Sequence, residues 1–187
     1  MNIKKILTLS SLMFSSICVS QYASATCWSK AGGDYNIDPL LLMAIGWQES
    51  NGRTNAVGSL LKDGNRALGL MQINTIHLPE LEKFGIKREH LFEPCVSVMV
   101  GAYVLRDCLD TFNQDTWRAV GCYYGGKYSK AYTAMSKYSK SVRSHYENYQ
   151  IMFRGQNFAY TAASTQNTPQ KSPANKYRNI EYIFFDQ

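Results

Sequence analysis

The sequence is poor in the residues that gather metals. Its 3 histidines in 187 residues, His77, His90 and His145, have no spacing that would bring them onto one ion. The cysteines include no CxxC pair, so a zinc site is not expected, and no cofactor motif stands out. Ser50 has no Gly-x-Ser-x-Gly setting, which removes the common serine-nucleophile elbow. β-Branched residues with sustained alternation are lacking between Asn51 and Asn65, which limits any sheet there to a small, irregular hairpin. Beyond the first 25 residues no apolar run approaches the roughly 20 residues that a membrane-spanning helix needs.

What is present begins with export. Lys4 and Lys5 precede an apolar run from Ile6 to Val19, which ends in "ASA" at Ala23–Ala25. A short basic patch, a short apolar core and small residues before a cleavage point form a secretory signal peptide, so residues 1–25 are expected to be removed, leaving a periplasmic chain from Thr26 to Gln187. That length suits one domain that buries about two thirds of its unfolded surface. Four cysteines then remain, Cys27, Cys95, Cys108 and Cys122, an even number in an exported chain and hence two disulfides in one of three connectivities. The formal charge of +6 falls by the two lost lysines, a modest surplus that suits an anionic polymer or envelope surface without calling for nucleic acid.

Helical punctuation runs through the mature chain. Trp28–Tyr35 suits a short first helix, and Asp38-Pro39 is a strong start for a second, because aspartate caps free N–H groups and proline is tolerated at the first helical position. "LLLMAIGWQES" then runs to Gly52 with Leu42, Ile45 and Glu49 on one face. Glu49 is therefore expected half-buried near the C-terminal end of a core helix, where desolvation and the negative end of the helix dipole both raise its pKa. Thr75–Phe84, Pro94–Leu109, Trp117–Tyr124 and Ser129–Phe153 also read as helices, broken at Gly85, near Asn113 and at Gly125-Gly126. Residues 155–187 turn polar and proline-containing, a flexible tail whose last stretch, "YRNIEYIFFDQ", is apolar enough to dock on the core or on a partner.

"WQES" at a helix end, "LGLMQIN", "FEPCVSVMVGAYVL", "AVGCYYGG" and "KYSKSV" occur in an order that resembles the lysozyme-like lytic transglycosylases, the SLT domain, from about Cys27 to Ile151. The chain is most similar to the small exported members that accompany type III secretion systems and type IV pili. The resemblance implies a mainly α, lysozyme-like α+β fold over residues 26–154, with a glycan-binding cleft. It also implies cleavage of the β-1,4 bond between N-acetylmuramic acid and N-acetylglucosamine in peptidoglycan, with the muramoyl C6 hydroxyl attacking to leave a 1,6-anhydro sugar. One carboxyl group can donate the proton to the leaving oxygen and later accept one from that hydroxyl, which requires an acid protonated near neutral pH, the environment expected for Glu49.

The resemblance gives the other motif positions roles around that acid. Ser50 is expected to hydrogen-bond near the glycan and orient Glu49. Gly69 is expected to let backbone approach the sugar, Met71 to give an apolar floor, Gln72 and Asn74 to give polar contacts, Tyr123 to stack on a sugar face, and Tyr138 to place its hydroxyl near Glu49. Departures are also visible. The family's Ala-Tyr-Asn-Ala-Gly stands here as Cys122-Tyr123-Tyr124-Gly125-Gly126, which puts a polar glycan contact in doubt, and Ser97-Val98 replaces an Asn-Ile pair, weakening a structural hydrogen bond. Ala67 occupies the place where some relatives carry a second carboxylate; Asp63 is the nearest substitute, although its neighbours Gly64 and Asn65 mark an ordinary turn. Disulfides are expected to pair Cys27 with Cys95 and Cys108 with Cys122. A monomer acting locally on glycan strands for a secretion-system or pilus component is the expected role, with a hydrolytic lysozyme and a non-catalytic peptidoglycan-binding module as the alternatives.

Overall fold

A computed structural model describes residues 19–154. Most of the expected signal peptide and the whole of the expected tail lie outside those residues. Helix α1 spans Val19–Tyr35 and α2 spans Pro39–Ser50; strands β1 (Ala67–Leu68) and β2 (Ile73–Asn74) follow, then α3 (Leu78–Leu81), α4 (Pro94–Thr111), α5 (Thr116–Gly125) and α6 (Tyr132–Met152). The two strands pair antiparallel, Ala67 with Asn74 and Leu68 with Ile73, and Val57 adds one bridge to Leu68. This is the expected mainly helical fold with a minimal β region.

The second helix is set by its ends. Asp38 accepts a hydrogen bond from the Leu40 N–H at 2.8 Å with Pro39 in the first turn, and Asn51 stops the helix in the left-handed region at φ 52°. Asp38 also accepts from the Tyr146 hydroxyl at 2.6 Å, so one carboxylate caps α2 and holds α6 beside it. Leu42, Ala44 and Ile45 are fully buried in a core shared with Ala31 of α1, Val100, Ala102 and Leu105 of α4, Val120 of α5 and Val142 of α6. Close passage near α2 depends on Gly46: a Cβ there would stand 2.9 Å from the Trp28 ring and 3.2 Å from the Met71 sulfur.

Two disulfides tie the helices as expected, Cys27 to Cys95 and Cys108 to Cys122. The first fastens α1 to α4, and the second fastens α4 to α5.

Three elements differ from the sequence reading by more than two residues. Helix α1 already runs from Val19, the first described residue, nine residues before Trp28 and across the expected cleavage point. The segment expected as one helix over 75–84 is instead a 3-10 turn at Thr75–His77, the short α3, and another 3-10 turn at Glu82–Phe84. Pro79 explains the break, because it has no N–H to continue a helix begun at Thr75. Helix α6 begins at Tyr132 rather than Ser129, whose hydroxyl instead accepts from the Ala131 N–H at 3.2 Å and holds a turn. A further 3-10 segment at Arg88–Phe92 had no sequence signal.

Candidate active site

The last turn of α2 carries Trp47, Gln48 and Glu49, and α6 crosses beside it. Two hydroxyls from α6 meet this turn: Tyr138 donates to Glu49 Oε1, and Ser141 donates to Gln48 Oε1. Because Tyr138 is itself buried, the carboxyl group sits between a core helix and an aromatic ring with little water around it. Burial pushes Glu49 up to about 7, and the Tyr138 hydroxyl, which favours the charged form, pulls it part of the way back. Desolvation thus does what the helix spacing predicts. The same burial, with the Glu49 charge beside them, raises the phenols of Tyr123 and Tyr138 well above their ordinary value, so both remain hydroxyl donors.

Next to this pair lies a second aromatic layer. Tyr124, read from the sequence as a lost polar contact, stacks on Tyr138 with ring centroids 4.9 Å apart and leaves about half its surface to solvent (54 %). Trp47 is also exposed, at 45 %. Sequence reasoning gave neither ring a role in the site; their place one or two residues from Tyr123 and Glu49 was the available signal.

The β-turn segment is built differently from what the motif positions suggest. Ser50 is buried, with its hydroxyl 2.8 Å from the Leu70 carbonyl and 3.1 Å from the Gly46 carbonyl. It is turned away from Glu49 and binds the end of α2 to the hairpin, so it positions the helix end rather than facing a sugar. Gly69 adopts φ +74°, and a Cβ there would stand 1.9 Å from the Leu91 carbonyl oxygen. The close approach that needs glycine is therefore to this chain's own backbone. Met71 is fully buried, filling the space beside Gly46 and Gly101, and forms core rather than an exposed floor.

Backbone hydrogen bonds fix the rest of the turn. The Met71 carbonyl accepts from the Tyr123 hydroxyl at 2.7 Å, and its N–H donates to Ser97 Oγ at 3.1 Å. Ser97 is fully buried and holds this turn by a structural hydrogen bond, at the position where the sequence reading expected a weakened one. Tyr123 is half-buried with its hydroxyl committed to Met71, a brace between α5 and the turn instead of a free stacking platform. Gln72 sits at φ 46° and spends its amide N–H groups on Gly69 O and Ala56 O at 2.9 and 3.2 Å, which leaves its amide oxygen as the group available to a ligand. Asn74 caps the following turn by accepting from the Ile76 N–H at 3.0 Å.

Asp63 accepts from the Asn65 N–H at 3.0 Å in an exposed turn, and hydrogen bonding from the Asn65 side chain, then from its backbone, lowers the Asp63 pKa. It is a turn aspartate, not a partner for Glu49. Among the described residues no group of three or more His, Cys, Asp and Glu side chains could hold a metal ion.

The family model of the transglycosylase SLT domain matches residues 26–146, most of the described chain. The chain belongs to the transglycosylase SLT family. Relatives of the SLT chain include invasion protein IagB of Salmonella typhimurium, 41 % identical over 128 residues that cover 68 % of this chain and 77 % of that protein. Protein IpgF of Shigella flexneri is 34 % identical over 140 residues, covering 74 % of this chain and 91 % of that one. Among solved structures, an inactive mutant of the lytic transglycosylase Slt from Pseudomonas aeruginosa shares the fold with a TM-score of 0.56 at 22 % identity, over 72 % of this chain and 24 % of that chain. This SLT chain therefore spans about a quarter of that larger protein.

Proposed function

We propose that the protein is an exported peptidoglycan lytic transglycosylase in which Glu49 is the single catalytic acid and base. The observation that carries this reading is the half-buried Glu49 carboxyl group with the Tyr138 hydroxyl donating to it, an environment that pushes its pKa up to about 7. An acid with that pKa is protonated in a useful fraction of molecules near neutral pH and is basic enough to take a proton back.

In the first step Glu49 gives its proton to the glycosidic oxygen as the bond to C1 of N-acetylmuramic acid breaks. Positive charge on the ring is offset by the newly formed Glu49 carboxylate and by the substrate's own N-acetyl group. In the second step the C6 hydroxyl of the same sugar loses its proton to Glu49 and its oxygen bonds C1. The product is 1,6-anhydro-N-acetylmuramic acid, and Glu49 ends protonated as it began. Tyr138 supports both steps by donating to the carboxylate form. Tyr124 and Trp47 offer exposed rings for sugar faces, and the Gln72 amide oxygen offers an acceptor for acetamido or hydroxyl groups.

A hydrolytic lysozyme would place a second carboxylate across the bond, and Asp63, the sequence's nearest candidate, is spent on a turn. A purely binding module would have no need of a desolvated acid. The inactive Slt relative is a glutamate-to-glutamine variant, which agrees with a glutamate carrying the chemistry. The two disulfides suit an oxidising compartment such as the periplasm, and the likeness to an invasion protein suits local opening of the wall for a secretion apparatus or pilus. Glu49→Gln is expected to abolish release of anhydro-muropeptides from purified peptidoglycan; undiminished release would remove Glu49 from the mechanism.

A further inference from the structure

The charge surplus of this chain is concentrated in one place. Between Thr111 and Tyr146, Arg118, Lys127, Lys130, Lys137, Lys140 and Arg143 stand against a single acid, Asp115. The fold brings five of these cations to a cleft of about 790 Å³ between α5, α6 and the loop that joins them; Lys137 lies in the pocket next to it, which shares Lys140. Trp117, Tyr128 and Tyr132 line the cleft between the charges.

Little inside the protein uses that charge. Asp115 is occupied in capping α5, accepting from the Trp117 and Arg118 N–H groups at 3.2 and 3.1 Å. Lys127 pairs with Asp107, but among the described residues no ion pair engages Arg118, Lys130, Lys140 or Arg143. The two guanidinium groups are set in place by rings instead, Arg118 at 4.7 Å from the Phe112 centroid and Arg143 at 4.2 Å from that of Trp117. Stacking leaves the guanidinium edge and its N–H donors free for planar anions such as carboxylates.

The cleft is not the Glu49 site. Consecutive residues of α6 serve the two: Tyr138 turns to Glu49, whereas Ser139 lines the cleft and donates to the Trp117 carbonyl at 2.8 Å. A concave groove of this volume admits a chain of a few residues rather than a flat membrane surface. Peptidoglycan glycan is itself uncharged in its sugars, and its acidity lies in the free carboxylates of the short stem peptides.

We propose that the α5–α6 cleft is a second wall-contacting site that binds the carboxylate-rich stem peptides of peptidoglycan and holds the enzyme on the wall while Glu49 acts on the glycan. This inference rests on the peptidoglycan reading above. Its test is co-sedimentation of the full chain, carrying Glu49→Gln so that the polymer is not consumed, with intact peptidoglycan and with glycan stripped of its stems by an amidase, the lactyl carboxylates so freed being capped as methyl amides to keep the sugars uncharged. Binding to intact wall is expected to be about tenfold tighter than to stripped glycan, to weaken as salt is raised, and to be competed by free stem tetrapeptide. Lys130→Glu combined with Lys140→Glu, at two exposed positions, is expected to lose that tenfold advantage for intact wall while leaving binding to stripped glycan as it was.

Equal affinity for intact and stripped material, or unchanged binding by the double variant, would overturn the proposal. So would charge-dependent binding to phosphatidylglycerol vesicles or polyglutamate without any response to stem tetrapeptide. Product analysis of the parent protein on stripped glycan separates the two readings. Anhydro ends formed there alongside stem-independent binding would defeat the cleft proposal alone, and no anhydro ends on either material would defeat the substrate reading beneath it.

Discussion

At the scale of single residues, the proposed chemistry rests on Glu49 and Tyr138 together. Since the Tyr138 hydroxyl lowers the Glu49 pKa that burial raises, Tyr138→Phe is expected to move the alkaline limb of the pH–rate profile upward, while reducing the rate through loss of a donor to the carboxylate. A downward shift of that limb would show that the hydroxyl does not stabilise the charged form. Stability carries the same signature. A carboxyl group whose folded pKa lies above its unfolded value binds its proton more tightly when folded, so its effect is harmless below pH 4.5 and becomes destabilising as pH rises from 4.5 through about 7. Glu49→Gln removes that penalty and is expected to gain about 2 kcal/mol over the parent at pH 8, and almost nothing at pH 4, by urea denaturation at the two values. Glu49 was legible in the sequence because its environment follows from helical spacing alone. Ser50, Gly69 and Met71 were not, because being next to a catalytic motif says nothing of which way a side chain turns; contacts to Leu70, Leu91 and Gly101 decide it.

Elements are placed by their caps and by close backbone approaches. Asp38-Pro39 announced α2 in the sequence, since a side-chain cap is a local bond between neighbours; Asp115 caps α5 in the same way, although the sequence reading did not name it. The 3-10 turns around α3 and the hairpin geometry were not announced, because they depend on tertiary partners. Gly69 is the clearest case: its left-handed backbone, and the Leu91 carbonyl oxygen 1.9 Å from where a Cβ would stand, leave no room for alanine. Gly69→Ala is expected to cost at least about 2 kcal/mol in thermal or denaturant unfolding, from backbone strain and the displaced 3-10 segment together. An unchanged midpoint would mean that the turn relaxes without disturbing the wall of the site. If the variant folds, its activity is expected to fall as well, since the turn holds Met71 against Tyr123 and Leu70 against Ser50 at the end of α2.

On the scale of the whole molecule, two disulfides close chain loops of very different length around one helical core. Cys27–Cys95 spans 68 residues in sequence and Cys108–Cys122 spans 14, so chain entropy alone makes the first worth about 4 kcal/mol and the second about 3 kcal/mol. Paired Cys→Ser replacements, each measured by calorimetry, are expected to lower the melting temperature in that order; the reverse order would show that native-state packing around α5 outweighs the loop term. The mainly α fold was legible because apolar spacing and glycine breaks are written along the chain. The run of positive charge between Thr111 and Tyr146 stands in the sequence itself, but its gathering into one α5–α6 cleft does not, because that depends on how the two helices pack.

In the proposed reaction Glu49 alone, with no second carboxylate, drives intramolecular attack by the C6 hydroxyl. Mass spectrometry of the soluble products from purified peptidoglycan, for the parent protein and for Glu49→Gln, tests it most directly. Anhydro-muropeptides from the parent and none from the variant are the predicted result; products ending in reducing N-acetylmuramic acid would contradict it and make water the nucleophile.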